Sequence, residues 1–239
     1  MTASIPHPRR AMTALLLACG GLSTAAAAPP ADTMAQRMQA CVVCHGEQGR
    51  ATRQGYFPRI AGKPAGYLFN QLVNFRDGRR KNPTMAYLVG QMSDVYLQEI
   101  AAYFAGLDLP SPPPEPAQAA AAALARGELL VRQGDAARGI PACAACHGAA
   151  MMGVEPGIPG LLGLPRDYLL GQFGAWRNGQ RHAAKPDCMG EVAERLSAED
   201  VGAMAAWLSA QPVPAGTKAA RQAPQAPQAL PLQCGSAQP

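Results

Sequence analysis

The chain has 239 residues, of which 48% are hydrophobic, 15% charged and only 5% aromatic. No apolar run reaches the roughly 18–20 residues that a membrane span needs, which argues against a polytopic membrane protein. The formal net charge of +5, from 21 basic and 16 acidic side chains, is too small and too dispersed to point to nucleic acid.

Arg9 and Arg10 precede an apolar stretch from Ala11 to Leu22 and then the small-residue run Ser23 to Ala28. Charge, apolar run and small residues in that order make a secretion signal. Residues 1–28 are therefore expected to be an address, with the mature protein in the periplasm, where spare cysteines can oxidise. Leu16-Leu17-Ala18-Cys19-Gly20 also resembles a lipobox, so a lipoprotein anchored through Cys19 is the alternative to a soluble product.

From there the chain repeats itself. Cys41-Val42-Val43-Cys44-His45 recurs 102 residues later as Cys143-Ala144-Ala145-Cys146-His147. Phe57-Pro58-Arg59-Ile60-Ala61-Gly62 matches Ile158-Pro159-Gly160-Leu161-Leu162-Gly163, and the segment from Tyr67 to Arg80 matches that from Tyr168 to Arg181. Met85 to Ser93 matches Met189 to Ser197, and the offset moves only from 102 to 101 to 104. An internal match of this kind predicts two homologous domains, residues 29–108 and 117–213. Residues 109–116, Leu-Pro-Ser-Pro-Pro-Pro-Glu-Pro, form a stiff linker between them. Residues 214–239 are rich in Pro, Ala and Gln and predict a disordered tail.

Each repeat predicts a helix before its cysteine pair, about 117–132 in the second copy. A middle helix over about 65–76 (166–177) is stopped by Gly78 or Gly179. A last helix is N-capped by Ser93 or Ser197, with Asp200 placed to complete a capping box. No strand-like alternation is sustained, so the fold class is all-α.

C-x-x-C-H is the attachment signature of a c-type haem: two thiols bond the porphyrin and the adjacent histidine faces the iron. A zinc site would need a fourth ligand, and the remaining histidines, His7 and His182, are not duplicated. A thioredoxin-like pair would need a βαβ setting, which is absent. Two covalently bound haem c groups are the expected cofactors. They also supply apolar volume that the few aromatics do not. Met85 and Met189 stand at equivalent places, 40 and 42 residues after their histidines. They are the candidate second ligands to iron, against the alternative that they only fill the core. The metal set is then His45, Met85, His147 and Met189. Tyr67, Phe75, Tyr168 and Trp176 are expected to pack against the haems, and His182 to lie on the surface.

With both motifs, the Pro-x-x-x-Gly segments, the Tyr-x-x-x-Gln helices and the paired methionines, residues 35–212 resemble a di-haem class I cytochrome c of the cytochrome c4 family. The resemblance implies two tandem class I cytochrome c domains, each wrapped around one haem. It also implies that the Pro58 and Pro159 carbonyls accept a hydrogen bond from the ligating histidines. The function it implies is an extracytoplasmic electron carrier rather than an enzyme, taking electrons from a quinol-oxidising complex or dehydrogenase and giving them to a terminal oxidase. Its partners would be redox proteins, with peripheral membrane association an option and nucleic acid excluded. The alternatives are a cytochrome subunit fixed to a dehydrogenase, a di-haem peroxidase, or a thiosulfate-oxidising enzyme; Cys188 beside Met189 is the feature behind the last two.

Residues 29–110 hold nine basic and six acidic groups, against eight and nine in 117–213. The first repeat is therefore the more positive and the better match for an acidic partner surface. Four of the seven cysteines serve haem, and Cys19 belongs to the signal, which leaves Cys188 and Cys234. In an oxidising compartment the pair is expected to form a disulfide. The alternatives are an unpaired tail cysteine and a ligand role for Cys188.

Overall fold

Short helices with clear start and stop residues build both repeats. The computed structural model describes residues 1–2, 32–52, 55–216, 218–221 and 230–237. Residues 3–28 of the expected secretion signal, Cys19 among them, lie outside the described residues. In the first repeat, α1 (Met34–Arg37) leads into α2 (Gln39–His45), followed by α3 (Ala65–Arg76), α4 (Pro83–Val89) and α5 (Asp94–Gly106). In the second, α6 (Ala121–Arg132) precedes α7 (Cys143–His147), α8 (Arg166–Arg177), α9 (Cys188–Arg195) and α10 (Ala198–Ser209).

The helix ends follow their sequence signals. Past α3 and α8 the chain turns through Gly78 and Gly179 at φ +73° and +63°, a backbone conformation that side-chain-bearing residues rarely adopt. Ser93 accepts a bond from the Tyr96 amide at the start of α5. Ser197 and Asp200 form the full capping box of α10. The helix before the second cysteine pair begins at Ala121 rather than near residue 117. Its first residue follows Ala120, which offers no side-chain cap, so nothing in this alanine run fixes an earlier start.

One element departs from the strand-free expectation. Strands β1 (Gly153–Val154) and β2 (Ile158–Pro159) pair antiparallel, Gly153 opposite Pro159 and Val154 opposite Ile158. Two residues are too few for alternation to show in the sequence. The tail also departs from expectation. The Ala220 amide donates to Gly153 O at 2.9 Å and the Glu155 amide to Ala220 O at 2.8 Å, so this part of the tail runs beside β1.

The unit from Thr33 onward contains two hydrophobic cores. One gathers Met38, Leu68, Phe75, Leu97, Ile100 and Phe104 from the first repeat. The other gathers Leu130, Val131, Leu169, Met204, Trp207 and Leu208 from the second. In the second, α6 crosses α10 at Gly127, where a Cβ would stand 2.3 Å from the Ala203 carbonyl oxygen. Only glycine permits that approach. The linker lies against both repeats: Arg59 donates to the Leu109 and Pro110 carbonyls at 2.6 and 3.0 Å, and the Arg166 amide donates to the Glu115 carboxylate at 2.9 Å. Among the described residues no helix is long and apolar enough to cross a membrane.

Asp200 locks α10 to the rest of the second repeat. Its buried carboxylate accepts from Arg126 at 3.0 Å and from Arg138 at 2.7 Å, as well as from the Ser197 amide at 3.2 Å. Burial pushes this carboxyl up, but the bonds from Arg138, Ser197 and Arg126 outweigh it and hold the pKa at about 2. An unfolded aspartate titrates near ~3.9. The stabilisation is therefore complete above pH 4 and is lost as pH falls toward 2. After allowance for solvent screening it amounts to roughly 1–2 kcal/mol. Thermal unfolding of an Asp200→Asn variant should show a deficit of that size at pH 6–7 that closes as the pH falls below 4. A deficit that does not change with pH would contradict this.

Candidate haem sites

In both repeats the two cysteines stand three apart and the histidine one further, so a helix puts all three on neighbouring positions. The His45 Nδ1–H donates to Pro58 O at 2.9 Å and the His147 Nδ1–H to Pro159 O at 2.7 Å. With Nδ1 engaged, Nε2 is the nitrogen left to face a metal. Burial pushes both imidazoles down, reinforced at His45 by nearby Arg80 and at His147 by Lys63, and opposed by the proline carbonyls. Both rings are thereby kept neutral, as ligation requires.

Burial raises the Cys41 and Cys146 thiols and pushes Cys143 up to about 11. Among the described residues no cluster of three or more His, Cys, Asp or Glu is placed to hold a metal ion. Two thiols three residues apart, followed by a histidine, suit the two thioether bonds and one iron ligand of a c-type haem.

Each methionine sits in the first turn of a helix. Asn82 caps α4 by accepting from the Met85 amide at 3.0 Å, and Asp187 caps α9 by accepting from the Gly190 amide at 3.0 Å. In the second repeat one largely apolar cavity is lined by Cys143, Cys146 and His147 on one side and by Met189 with Leu164 and Trp176 elsewhere. In the first repeat, Met85 and Cys41 pack against the same core. Phe75 and Tyr168 are buried at 8% exposure each and Tyr67 and Trp176 are half-buried, while His182 is exposed, as expected of it.

Between the repeats lies a seam with approximate twofold character. Arg80 and Arg181 form an antiparallel bridge, flanked by Lys81 N to Gln180 O and His182 N to Arg79 O, both 2.7 Å. The Arg80 guanidinium donates to Gln71 at 3.0 Å and to Gln172 at 2.7 Å, and Arg181 donates to Gln172 at 2.6 Å and to Gln71 at 3.3 Å. Arg80 stacks over Phe75 and Arg181 over Trp176, at 4.6 and 4.0 Å.

Among the described residues neither arginine pairs with a carboxylate. Two neighbouring guanidinium groups, one of them 7% exposed, need an anion nearby to offset their burial. The buried Trp176 Nε1–H also has no partner. A haem brings two carboxylates on its edge, so the residues present fit that group. When bound, each haem iron takes up or releases one electron.

The tail adds a wall to the second cavity. A disulfide joins Cys188 to Cys234, and the Gly235 amide donates to Pro186 O at 2.9 Å. The Asn70 side chain of the first repeat donates to Ser236 O at 3.0 Å. Leu232, Cys234, Ser236 and Ala237 line the cavity. The end of the otherwise Pro/Ala/Gln-rich tail, from Leu230 to Cys234, thus returns to the second repeat as the Cys188–Cys234 pairing implies, tied at Cys234, Gly235 and Ser236.

No protein-family model matches the chain. The thiosulfate dehydrogenase electron acceptor of Thiomonas intermedia (strain K12) is 38% identical over 191 residues, covering 79% of this chain and 83% of the relative. Cytochrome c4 of Pseudomonas aeruginosa is 32% identical over 199 residues, covering 82% of this chain and 96% of the relative. The chain belongs to the cytochrome c4 family. As a cytochrome c4 homologue it is a di-haem electron-transfer protein with two covalently bound haem c groups. Among solved structures, thiosulfate dehydrogenase (TsdBA) of Marichromatium purpuratum matches with a TM-score of 0.64 and 34% identity over 72% of this chain. This chain spans about a third, 36%, of that one.

Sequence reasoning left two parts of this cytochrome c4 fold without a role. Gln71, Arg80, Gln172 and Arg181 stand inside the matched segments, so their duplication was visible, but the seam they form is not. Lys63 comes from the first repeat yet lines the second cavity, its Nζ 3.5 Å from Gly160 O. Burial holds its pKa at about 8. Its counterpart in the second repeat is the apolar Leu164, so the repeat pattern carried no signal for it.

Proposed function

We propose that this protein accepts electrons from a thiosulfate-oxidising dehydrogenase outside the cytoplasm and passes them toward a terminal oxidase. The observation that carries this reading is the 38% identity to a thiosulfate dehydrogenase electron acceptor. The solved thiosulfate dehydrogenase chain supports it, since a region similar to this protein shares one polypeptide with further sequence there. Of the two donors expected from the sequence, a quinol-oxidising complex or a dehydrogenase, this reading takes the dehydrogenase.

In this reading residues 29–108 and 117–213 are the two haem domains. His45 and Met85 ligate the first iron and His147 and Met189 the second. The Pro58 and Pro159 carbonyls hold each imidazole at a fixed angle and increase its donor strength, as the outer partners of ligating histidines do. The buried guanidinium pair at the seam offsets the charge of the haem carboxylates and holds the two haem-bearing lobes together.

The oxidised holo-protein, mixed with a thiosulfate dehydrogenase and thiosulfate, should be reduced at both haems within the enzyme's turnover time. Thiosulfate alone should leave it oxidised. Reduction by a quinol-oxidising complex but not by the dehydrogenase would overturn the proposal.

A further inference from the structure

Lys63 stands where the chain enters α3 and is held from both sides. The Gly62 amide before it donates to Phe104 O at 2.8 Å, and Pro64 after it is the N-cap of the helix. The start of α3 is pressed against the loop joining β1 and β2 of the second repeat. The Tyr67 amide donates to Pro156 O at 3.2 Å, and a Cβ on Gly66 would stand 2.7 Å from that same oxygen. A glycine permits this approach. Lys63 is thereby carried across the seam. Its Nζ lies 3.5 Å from Gly160 O, and its side chain lines the second haem cavity.

The second repeat does not return the contact. At the matching places it has Leu164 and Asp167. Leu164 packs into the core of its own repeat, and Asp167 at the start of α8 is exposed. Among the described residues Lys63 pairs with no carboxylate. Asp108, the acid in a smaller cavity that Lys63 also lines, is taken by Lys218 at 3.2 Å. Burial brings the Lys63 ammonium down from 10.5 to about 8, which leaves it charged at pH 7. A buried cation needs an answering charge. A haem supplies one in two ways: its edge carboxylates are negative, and its iron loses one positive charge on reduction.

We infer that Lys63 is the residue through which the first repeat sets the potential of the second haem, its positive charge stabilising the reduced state of that haem. This rests on His147 and Met189 holding a haem in the second cavity. Coulomb energy falls with distance and with dielectric constant, so a buried charge acts mainly on the haem whose cavity it lines. Salt screens exposed charges far more than buried ones, so the effect persists at high ionic strength. A side chain of the first repeat thus contributes to the driving force for electron transfer between the repeats.

The test is a redox titration of the full-length holo-protein at pH 7, followed through the haem methyl proton signals, which report each haem separately. Lys63→Gln should weaken reduction of the second haem about tenfold, which for one electron is about 59 mV downward. The first haem should move less than about twofold. Lys63→Met, of similar unbranched reach, should give the same shift and serves if the glutamine variant does not fold. Lys63→Arg should return the second haem to within about threefold of the wild type. Lys218→Gln removes an equal but exposed charge and should leave both haems at their wild-type potentials. The Lys63→Gln shift should survive in about 1 M salt, where the screening length is ~3 Å. No shift at the second haem, equal shifts at both haems, or a shift that vanishes in salt would overturn the inference. So would a Lys63→Arg protein as low as Lys63→Gln, which would mark a packing role instead of a charge. A wild-type protein lacking the methyl signals of one low-spin haem would remove the second site itself, and the inference with it.

Discussion

Replacing Met85 or Met189 by alanine, one at a time, is expected to halve the near-infrared thioether band of the ferric protein, and replacing both to abolish it. Each single variant should also leave one haem able to bind cyanide at neutral pH and lower the potential of that haem. A thioether favours the reduced iron. Its loss should shift the affected haem by roughly 0.1–0.3 V, well inside the ~0.8 V over which axial ligands move haem potentials. The geometry behind this is the same in both repeats. Each methionine is held in the first turn of a helix by a capped amide, at Asn82 or Asp187, and Met189 lines the cavity that also holds Cys143, Cys146 and His147. Loss of an N-cap costs about 1 kcal/mol, so the caps are part of what fixes the sulfurs. Absorption and redox titration of the three variants decide the matter. A full-strength band in either single variant would remove that methionine from the ligand set.

Much of this fold is legible in the sequence because it is written locally and written twice. The helix stops at Gly78 and Gly179, the caps at Ser93 and Ser197, and the attachment motifs each depend on residues within one turn of one another. The histidine–proline bonds span 13 and 12 residues, still within one loop of each motif. The Cys188–Cys234 pairing was legible by elimination, since the other cysteines had uses. What was not legible depends on contacts between segments far apart in the chain. The Arg80–Gln172 and Arg181–Gln71 bonds join residues 92 and 110 positions apart, and nothing near Arg80 indicates an arginine neighbour from the other repeat. Only the segment from Leu230 to Cys234, with the spare Cys188, points to the tail's return; its Pro, Ala and Gln composition speaks for disorder. A single disulfide and a handful of backbone bonds override it at residues 230–237, at a cost in chain entropy that composition cannot register. The β1–β2 hairpin escaped for the opposite reason, being too short to leave a pattern.

Replacing Cys234 by alanine should release the tail from the second haem cavity and destabilise the second repeat by up to about 4 kcal/mol, by the loop-entropy relation for its sequence separation of 46. For a chain of this size that corresponds to a fall in melting temperature of roughly 10 °C. The loop closed by the disulfide contains α10, the helix with Val201, Met204 and Leu208 in the second core. Freeing one end therefore loosens the tail and also enlarges the unfolded ensemble against which α10 must fold. The contacts that depend on the disulfide are few: Gly235 N to Pro186 O, and Asn70 to Ser236 O. Without the covalent tie they do not offset the entropy of ordering eight residues. Limited proteolysis should then cut the variant within 230–237, while the wild type resists. A thiol reductant should reproduce both changes in the wild type and add nothing to the Cys188→Ala/Cys234→Ala double variant. An unchanged melting temperature in Cys234→Ala would show that the tail is held by packing alone. A thiol assay finding two free cysteines in the untreated, unfolded holo-protein would remove the disulfide itself.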